Sequence, residues 1–365
     1  MTTHAAPVRG ALSRTAQRLL DYSALIRLEY LPLMSTPFLL GPVIAAQRVS
    51  GTALAWFGVG CALHALSCSS NDIADRHLDA QDPRRANRPL TSGRLPVRHA
   101  VALTVLLGAL FVVGSVFLPS EHPGYLYVSL AITLWGNVRQ KRSRVPAPVS
   151  DLLWGLSVSM PLLAFIAVPG IAEVTAVMAF ALLLATFDAS GADLKDLETD
   201  LRLGIRTTGV LLGLTAAENG AATTRRFRLA VLISHALMSA LCVLALVTAG
   251  TGTALRSAGA AALVLSVWPL LRHTMADTVR RGGRSVLFLG GPFVAYLCTA
   301  AALATRPARV AAAMGVVVGA TAGAVLWHGA LRRFVSRATT DVAPAGPASF
   351  EPAREPPRRL RDHGP

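Results

Sequence analysis

Ten long apolar stretches, separated by polar loops, constrain this chain more than any other feature of its sequence. Several approach the 20 or so residues that a helix needs to cross the hydrocarbon core of a bilayer. The composition agrees, since 53% of the 365 residues are hydrophobic and only 15% are charged. The sequence therefore predicts an all-α, polytopic transmembrane helical bundle. The predicted spans run over residues 31–46, 52–70, 99–119, 123–138, 149–169, 171–187, 229–249, 254–271, 286–304 and 309–328.

The polar segments divide the chain into three parts. We expect residues 1–28 to form an N-terminal cytoplasmic or interfacial segment, because its leucines and arginines suit a helix lying on anionic lipid headgroups. Residues 29–330 would form the transmembrane domain. The segment 331–365 is basic and rich in proline, and this composition predicts a disordered tail.

The positions of lysine and arginine predict how the chain is oriented. With the N-terminus inside, all but four of the 35 basic residues fall on the cytoplasmic side, which is the bias that membrane proteins show. The net charge of +15 is then mainly a topology signal, and no nucleic-acid-binding motif accompanies it. The sequence thus predicts a multi-pass protein of the cytoplasmic membrane with its polar loops inside. It carries no signal for an oligomeric state.

Acidic residues are scarce, yet six of the 20 fall into two clusters with the same spacing. In each cluster the carboxylates stand at i, i+3 and i+7, so on a helix they share one face. An acid at the centre of a spanning helix is disfavoured by about 2.5 to 3.5 kcal/mol, which favours helix ends for both clusters. Two such faces turned toward each other predict a divalent-cation site. The clusters are Asp72, Asp75 and Asp79, and Asp193, Asp196 and Asp200.

Basic loops follow both clusters, at residues 82–94 and 201–208, and a third basic loop covers residues 139–144. Carboxylates beside guanidinium groups suit a ligand that binds both metal ions and cationic donors, and a diphosphate is such a ligand. The carboxylates and the diphosphate would repel one another, by roughly 4 kcal/mol for a close pair at an effective dielectric of 20. Bridging Mg²⁺ ions would offset this repulsion, so the sequence predicts Mg²⁺ as the cofactor.

Two motifs carry a resemblance to a known family. Residues 71–79 follow the pattern N-D-x-x-D-x-x-x-D, and N-R-P-L follows at 87–90. Residues 193–207 follow the pattern D-x-x-D-x-x-x-D-x-R-x-G-I-R-T. These stretches resemble the first and second signatures of the UbiA superfamily of intramembrane prenyltransferases. The similarity extends in span order from about residue 25 to about residue 305.

The resemblance implies a bundle of nine spans, against ten apolar stretches in this chain, around a central cavity capped by the cytoplasmic loops. Members of the family bind a prenyl diphosphate through Mg²⁺ and ionise it to an allylic carbocation, which an aromatic or quinone-precursor acceptor captures. It implies a UbiA-type prenyltransferase, an enzyme that works in membrane lipid on a prenyl diphosphate and a lipophilic acceptor.

The resemblance also implies roles for particular residues. The catalytic carboxylates would be Asp72, Asp75, Asp193 and Asp196. The Mg²⁺ ligands would be Asp72, Asp75, Asp79, Asp193, Asp196 and Asp200. The residues that bind the diphosphate would be Asn71, Arg88, Lys141, Arg202 and Arg206.

One position departs from the family pattern. Where the family often has a tyrosine four residues before the loop lysine, this chain has Asn137. A terpene cyclase of the same superfamily therefore stays open, in which double bonds of the prenyl chain itself capture the cation. A cation transporter is a third alternative. It is disfavoured because transporters place ionisable groups near the membrane midplane, whereas these acids stand at helix ends beside arginines.

Other polar residues near the spans carry weaker signals. Asp188, close to the end of the sixth predicted span, is expected to join the second acid cluster rather than to cap a helix. We expect His64, His77, His235 and His328 to be packing or interface residues rather than catalytic bases.

Overall fold

Helix dominates the computed structural model of the chain. The structure describes residues 5–46, 48–82, 85–139, 145–217, 220–249 and 307–340, with short pieces at 256–257, 259–261, 264 and 278–280. The helices are α1 (Ala5–Leu25), α2 (Leu31–Met34), α3 (Thr36–Ala46), α4 (Gly51–Asp79), α5 (Val97–Phe117), α6 (Gly124–Arg139), α7 (Ala147–Ser159), α8 (Ile171–Phe187), α9 (Asp193–Leu203), α10 (Thr208–Leu211), α11 (Arg225–Thr248) and α12 (Pro307–Thr340). A 3₁₀ turn (Met160–Phe165) follows α7, and a π-helical turn (Asp188–Ala192) joins α8 to α9.

Six helical segments in the described ranges are long and apolar enough to cross a membrane, and each overlaps one predicted span. This confirms the all-α membrane bundle. The predicted spans at 31–46 and 123–138 appear as the shorter helices α2, α3 and α6. The predicted spans 254–271 and 286–304 lie almost entirely outside the described residues, so the count of nine to ten stays a prediction. The six segments are Gly51–Asp79, Val97–Phe117, Ala147–Phe165, Ile171–Ser190, Arg225–Thr248 and Ala311–Ser336.

Prolines break the first predicted span into two short helices. Pro32 stands in the first turn of α2, and Pro37 in the first turn of α3. Proline lacks an N–H donor and disfavours helix at the preceding residue, which ends α2 before α3 starts. The hydroxyls of Ser35 and Thr36 each donate to a carbonyl oxygen of the preceding turn over 2.6 Å. The Leu31 carbonyl oxygen also accepts from the Ser35 N–H over 3.1 Å, so the side-chain bonds add to the backbone bonding around the break.

The helix α4 extends beyond the membrane and carries the first acid cluster. Ser50 caps its start, since the Ser50 Oγ accepts a bond of 3.2 Å from the N–H of Ala53. With 29 residues it is about 44 Å long, more than the ~30 Å hydrocarbon core of a bilayer. Its last turns therefore project past the apolar part of the helix, and they hold Asp72, Asp75 and Asp79.

The helix pair α7 and α8 and the pair α8 and α11 form the packed centre of the described bundle. At Gly155 of α7 a Cβ atom would collide with the backbone of Ala181 in α8, so the absence of a side chain permits the close approach. Phe180 of α8 and Phe227 of α11 are buried in one hydrophobic core. This packing fixes the helix that leads into the second acid cluster.

The helices at the two ends of the chain pack against each other. Leu331 of α12 lies in a small apolar cluster with α1, and the Ser23 Oγ is 3.0 Å from Nδ1 of His328. The helix α12 continues to Thr340, past the boundary that the sequence suggested for the membrane domain. Residues 341–365 of the predicted tail lie outside the described residues.

A small antiparallel sheet, which the sequence did not predict, follows α10. It consists of β1 (Thr215–Ala217), β2 (Gly220–Ala222) and β3 (Thr278–Arg280), in that order. Ala216 stands opposite Ala221, which on its other side faces Val279. Strands of three residues are too short for an alternation of apolar and polar residues to reveal them.

Candidate active site

A polar cavity of about 830 Å³ opens at the end of the bundle where α4 meets α9. Its walls come from α4, the loop after α4, α7, the π turn and α9. Among the described lining residues, six carboxylates outnumber four guanidinium groups. The carboxylates belong to Asp75, Asp151, Asp188, Asp193, Asp196 and Asp200, and the guanidinium groups to Arg27, Arg85, Arg88 and Arg206.

The first acid cluster is buried on one face of α4. Asp72, Asp75 and Asp79 are 7%, 6% and 1% exposed. Buried carboxylates need donors to offset the loss of water, and arginines supply them here. Arg27 Nη2 donates to Asp72 Oδ1 over 3.3 Å, and Arg88 Nη1 donates to Asp79 Oδ2 over 2.5 Å. Arg88 also lies 3.6 Å from Asp72, so one guanidinium group serves two acids of the cluster.

The second acid cluster begins one π-helical turn beyond the apolar helix α8. The π turn Asp188–Ala192 leads directly into α9, which starts at Asp193. Single π turns are frequent at functional sites. Gly204, with φ at 67°, ends α9, and the N–H of the next residue donates to the carbonyl oxygen of Asp200 over 2.8 Å. This reversal returns Arg206 to the cavity wall.

Arg85 joins the two clusters. Its Nη1 donates to Asp79 Oδ1 over 2.5 Å, and its Nη2 pairs with Asp196 Oδ1. Its Nε lies 3.6 Å from Asp82. A second link runs from the Thr199 hydroxyl to Asp82 Oδ2 over 2.8 Å, between residues 117 positions apart. The two acid faces therefore meet through an arginine rather than by direct contact.

The charge of the cavity suits a divalent cation. Burial, followed by the neighbouring carboxylate of Asp188, raises the pKa of Asp193 well above its usual value, and Asp151 and Asp200 add to the effect. Carboxylates that repel one another in this way are the oxygen donors that Mg²⁺ prefers. Across the part of the chain that the structure describes, no three acidic, histidine or cysteine side chains form a ready-made metal cluster. In the first cluster, arginines pair with the carboxylates of Asp72 and Asp79.

The structure brings three predicted diphosphate-binding residues to the cavity. Asn71, Arg88 and Arg206 line its wall. Arg202 points elsewhere, since its Nη2 donates to the carbonyl oxygen of Gln81 over 2.7 Å and thereby ties α9 to the loop after α4. Lys141 lies outside the described residues.

Sequence reasoning missed three charged residues of the cavity and anticipated a fourth. Asp188 lines the wall, as expected from its place near the second cluster. Asp151 is 5% exposed and accepts a hydrogen bond from the Thr208 hydroxyl. An acid inside a predicted span is itself a sign of a functional site, and that signal could have found Asp151. Arg85 and Arg27 become recognisable only from their contacts in the folded chain.

Arg27 reaches the cavity from the turn after α1. Its φ of 50° lies in the left-handed region that residues other than glycine rarely adopt. Such a conformation persists where surrounding contacts fix it, and the pairing of Arg27 with Asp72 is one such contact. The turn that follows the N-terminal helix thus contributes directly to the site.

The structure is thus a mostly helical bundle, with helices long enough to cross a membrane and a cavity lined by acids and arginines. The model of the UbiA prenyltransferase family matches residues 34–291. The chain belongs to this family and is a UbiA-type prenyltransferase. The matched region includes both acid clusters, which confirms the family resemblance of the two motifs.

Curated proteins with similar sequences are named as 4-hydroxybenzoate prenyltransferases. The chain is 30% identical over 211 residues to the 4-hydroxybenzoate octaprenyltransferase of Shewanella amazonensis, covering 55% of this chain and 71% of the relative. It is 29% identical over 218 residues to the mitochondrial 4-hydroxybenzoate polyprenyltransferase of Saccharomyces cerevisiae, covering 55% and 57%. The chain spans from about half to 71% of the length of such relatives.

Two solved structures share the fold. The apo UbiA homolog from Aeropyrum pernix K1 is 20% identical, with a TM-score of 0.55 over 79% of this chain and 98% of that chain. The UbiA homolog from Archaeoglobus fulgidus bound to GPP and Mg²⁺ is 17% identical, with a TM-score of 0.58 over 78% and 98%. At these low sequence identities the similarity shows a shared fold alone.

Proposed function

We propose that this prenyltransferase moves an isoprenoid chain from a prenyl diphosphate to an aromatic acceptor in a Mg²⁺-dependent reaction at the cavity described above. The observation that carries the proposal is the meeting of Asp79 and Asp196, one from each acid motif, on the guanidinium group of Arg85. The names of the relatives add support, since they specify 4-hydroxybenzoate as acceptor and GPP and Mg²⁺ as ligands.

Carboxylates of both motifs would hold the metal. Bound Mg²⁺ supplies a Lewis acid that stabilises negative charge on the departing diphosphate. Asn71, Arg88 and Arg206 would donate to phosphate oxygens from the cavity wall, and charged donors of this kind bind phosphate strongly. Lys141 and Arg202 remain proposed further contacts. The proposed Mg²⁺ ligands are Asp72, Asp75, Asp79, Asp193, Asp196 and Asp200.

The reaction separates charge at the boundary between polar and apolar walls. The bond between C1 of the prenyl chain and the diphosphate oxygen breaks, and the electron pair leaves with the diphosphate. A ring carbon of the acceptor attacks the allylic cation, and the ring then loses a proton. Trp154, an aromatic residue of α7, lies on the cavity wall. A dry wall of this kind protects the cation from capture by water.

The bias of basic residues supports a cytoplasmic position for the cavity mouth. The diphosphate and a water-soluble aromatic acid would then enter from the cytoplasm, while the prenyl tail lies among the membrane spans. In this proposal the prenyl tail of the substrate stays within the bilayer, and the diphosphate faces the cytoplasm.

Turnover by the purified protein tests the proposal. We expect 4-hydroxybenzoate to be prenylated by geranyl or farnesyl diphosphate with Mg²⁺ and not with EDTA. Asp75→Asn and Asp193→Asn should each lower the rate by at least about a hundredfold, because each removes a charge that the metal needs. The control Glu121→Gln, at an exposed acid outside the cavity lining, should keep the wild-type rate. Wild-type rates in either aspartate variant would refute the assignment.

A parallel incubation without acceptor separates the transferase from the cyclase of the same superfamily. The specific observation behind the cyclase is Asn137, which lines the cavity and whose Nδ2 donates to the Ser67 carbonyl oxygen and to the Ser70 hydroxyl, each over 2.8 Å. A cyclic hydrocarbon or alcohol as the main product would select the cyclase. Unreacted diphosphate without acceptor, and a prenylated aromatic with it, would select the transferase.

A further inference from the structure

Asn137 connects α6 to α4 at the wall of the cavity. Its Nδ2 lies 2.8 Å from the carbonyl oxygen of Ser67, 3.3 Å from Oγ of Ser67 and 2.8 Å from Oγ of Ser70. A carbonyl oxygen can only accept, and the Ser70 hydroxyl already donates its one hydrogen to the Ser67 carbonyl oxygen over 3.1 Å. Both contacts therefore need an N–H donor, which fixes the Asn137 amide with Nδ2 toward α4.

The orientation of this amide leaves its oxygen available to a ligand. The two ends of a planar amide diverge, so Oδ1 of Asn137 points away from the three oxygen atoms that Nδ2 contacts. Among the residues that the structure describes, none donates a hydrogen bond to this Oδ1 atom. Asn137 is half-buried and lines the cavity. It thus offers a neutral hydrogen-bond acceptor, held in one direction, to whatever occupies the cavity.

Two hydroxyl groups of the same cavity wall have hydrogens that no described residue accepts. Ser67 is 8% exposed, and its Oγ accepts from Asn137 but donates to no oxygen atom in the described ranges. Ser150 of α7 is 3% exposed, and its Oγ has no hydrogen-bond partner in that part of the chain. Buried polar groups nearly always have a partner. Unused hydroxyl groups in a cavity wall therefore indicate that the cavity receives a polar ligand group.

The hydrogen-bonding pattern restricts which group this is. Oδ1 of Asn137 needs a donor, and the hydroxyl of Ser67 beside it needs an acceptor. A carboxylate or a phosphate only accepts, so neither can pair with the amide oxygen. A prenyl chain can neither donate nor accept. A hydroxyl group does both, since it carries one hydrogen and two lone pairs.

The position of the amide corresponds to the acceptor rather than to the diphosphate. Ser67 stands four residues before Asn71 on α4, or about 6 Å along the helix axis. Asn71 and the acids Asp72 and Asp75 form the end of the cavity to which the diphosphate is assigned. Asn137 therefore lies about one helical turn further into the bundle, where C1 of the prenyl chain would meet the acceptor. A hydroxyl group held there would bring the neighbouring ring carbon close to C1.

We propose that Oδ1 of Asn137 accepts a hydrogen bond from the hydroxyl group of the aromatic acceptor, and that the Ser67 hydroxyl donates to the oxygen of the same group. This inference rests on the proposed function in its transferase form, and it adds the group by which the acceptor is recognised. A neutral amide does not take up the proton that the ring loses. Asn137 is thus a binding residue that positions the acceptor and not the base of the reaction.

Binding to an unreactive complex tests the proposal without turnover. The full-length protein, loaded with Mg²⁺ and farnesyl thiolodiphosphate, is titrated with 4-hydroxybenzoate and with 4-methylbenzoate, in which a methyl group of similar size replaces the hydroxyl. We expect the wild type to bind 4-hydroxybenzoate at least about tenfold more tightly, because a site that bonds a hydroxyl group rejects the analogue without it. A ratio of Kd values near one in the wild type would overturn the proposal.

Two variants remove the amide oxygen. Asn137→Leu, which has nearly the same shape, and the smaller Asn137→Ala should each reduce the ratio of the two Kd values to below about threefold. Both should still bind farnesyl thiolodiphosphate with Mg²⁺ within about threefold of the wild type. An unchanged ratio in both variants would refute the role of Asn137. Loss of farnesyl thiolodiphosphate binding in both would also refute it, because Asn137 would then support the fold or the diphosphate.

A matched control lies on the same helix. Ser129→Ala removes a buried hydroxyl of α6 that donates to the Tyr125 carbonyl oxygen and lies outside the cavity lining. Its ratio should equal that of the wild type, and the same reduction as in Asn137→Leu would refute a specific contact. Prenylation of 4-hydroxybenzoate by the wild type, measured in parallel, separates the two levels. No product would contradict the proposed function, whereas product with an unchanged ratio in Asn137→Leu would overturn this inference alone.

Discussion

Removal of the Arg85 guanidinium group should destabilise the ligand-free protein. We expect Arg85→Gln to lower the free energy of unfolding by about 2 to 3 kcal/mol. Loss of one partner of a buried ion pair costs about 3 to 5 kcal/mol, because the other charge stays buried without compensation. The loss is smaller here for two reasons: Arg88 still pairs with Asp79 over 2.5 Å, and the Asp196 side chain is 26% exposed.

Unfolding of the purified protein in detergent, with and without Mg²⁺, measures this effect. A cation that binds only the native state stabilises it by RT ln(1 + [L]/Kd), and carboxylates freed from Arg85 should bind Mg²⁺ more tightly. Mg²⁺ should therefore stabilise Arg85→Gln more than the wild type. The control Arg202→Gln, at an exposed arginine that donates to a carbonyl oxygen, should cost below about 1 kcal/mol. Equal costs in the two variants, or an equal gain from Mg²⁺ in Arg85→Gln and the wild type, would refute the reasoning.

Two further predictions concern the helices that support the site. Gly155→Ala should destabilise the protein by about 1 to 3 kcal/mol because the new methyl group meets the backbone of Ala181, whereas Gly58→Ala, with open space around it, should be neutral or slightly stabilising in the same unfolding assay. Thr208→Val removes the hydroxyl that donates to Asp151 and should cost about 1 to 3 kcal/mol, while Thr208→Ser, which keeps the hydroxyl, should retain most of the stability. A loss in Gly58→Ala as large as that in Gly155→Ala, or a Thr208→Val variant as stable as Thr208→Ser, would contradict these assignments.

The sequence predicted those parts of the fold that depend on the length of an apolar stretch or on the spacing of residues along a helix. The apolar length of 52–70 and 171–187 predicted α4 and α8, and the i, i+3, i+7 spacing placed Asp72, Asp75 and Asp79 on one face. The break in the first predicted span was not predicted. Pro32 and Pro37 stand in this stretch, but its apolar length indicated one continuous helix. Pro37 has no N–H to donate to the preceding turn, so α2 does not continue unbroken into α3 although the whole stretch is apolar.

The sequence did not predict the contacts that join the two acid clusters. Arg85 was one of several arginines in a basic loop, and nothing in the spacing shows which of them pairs with Asp79 and Asp196. The pairing depends on the approach of α9 to α4, which helix packing elsewhere in the chain decides. Arg202 fits the motif pattern equally well, yet it bonds to the Gln81 carbonyl oxygen.

Binding of an unreactive prenyl diphosphate analogue tests the central claim most directly, namely that two distant acid motifs share one ligand through Mg²⁺. Titration calorimetry with farnesyl thiolodiphosphate should give tight binding to the wild type with Mg²⁺ and at least about tenfold weaker binding with EDTA. Asp75→Asn, in the first motif, and Asp193→Asn, in the second, should each weaken binding with Mg²⁺ at least about tenfold. Wild-type affinity in either variant, or equal affinity with Mg²⁺ and with EDTA, would contradict the account.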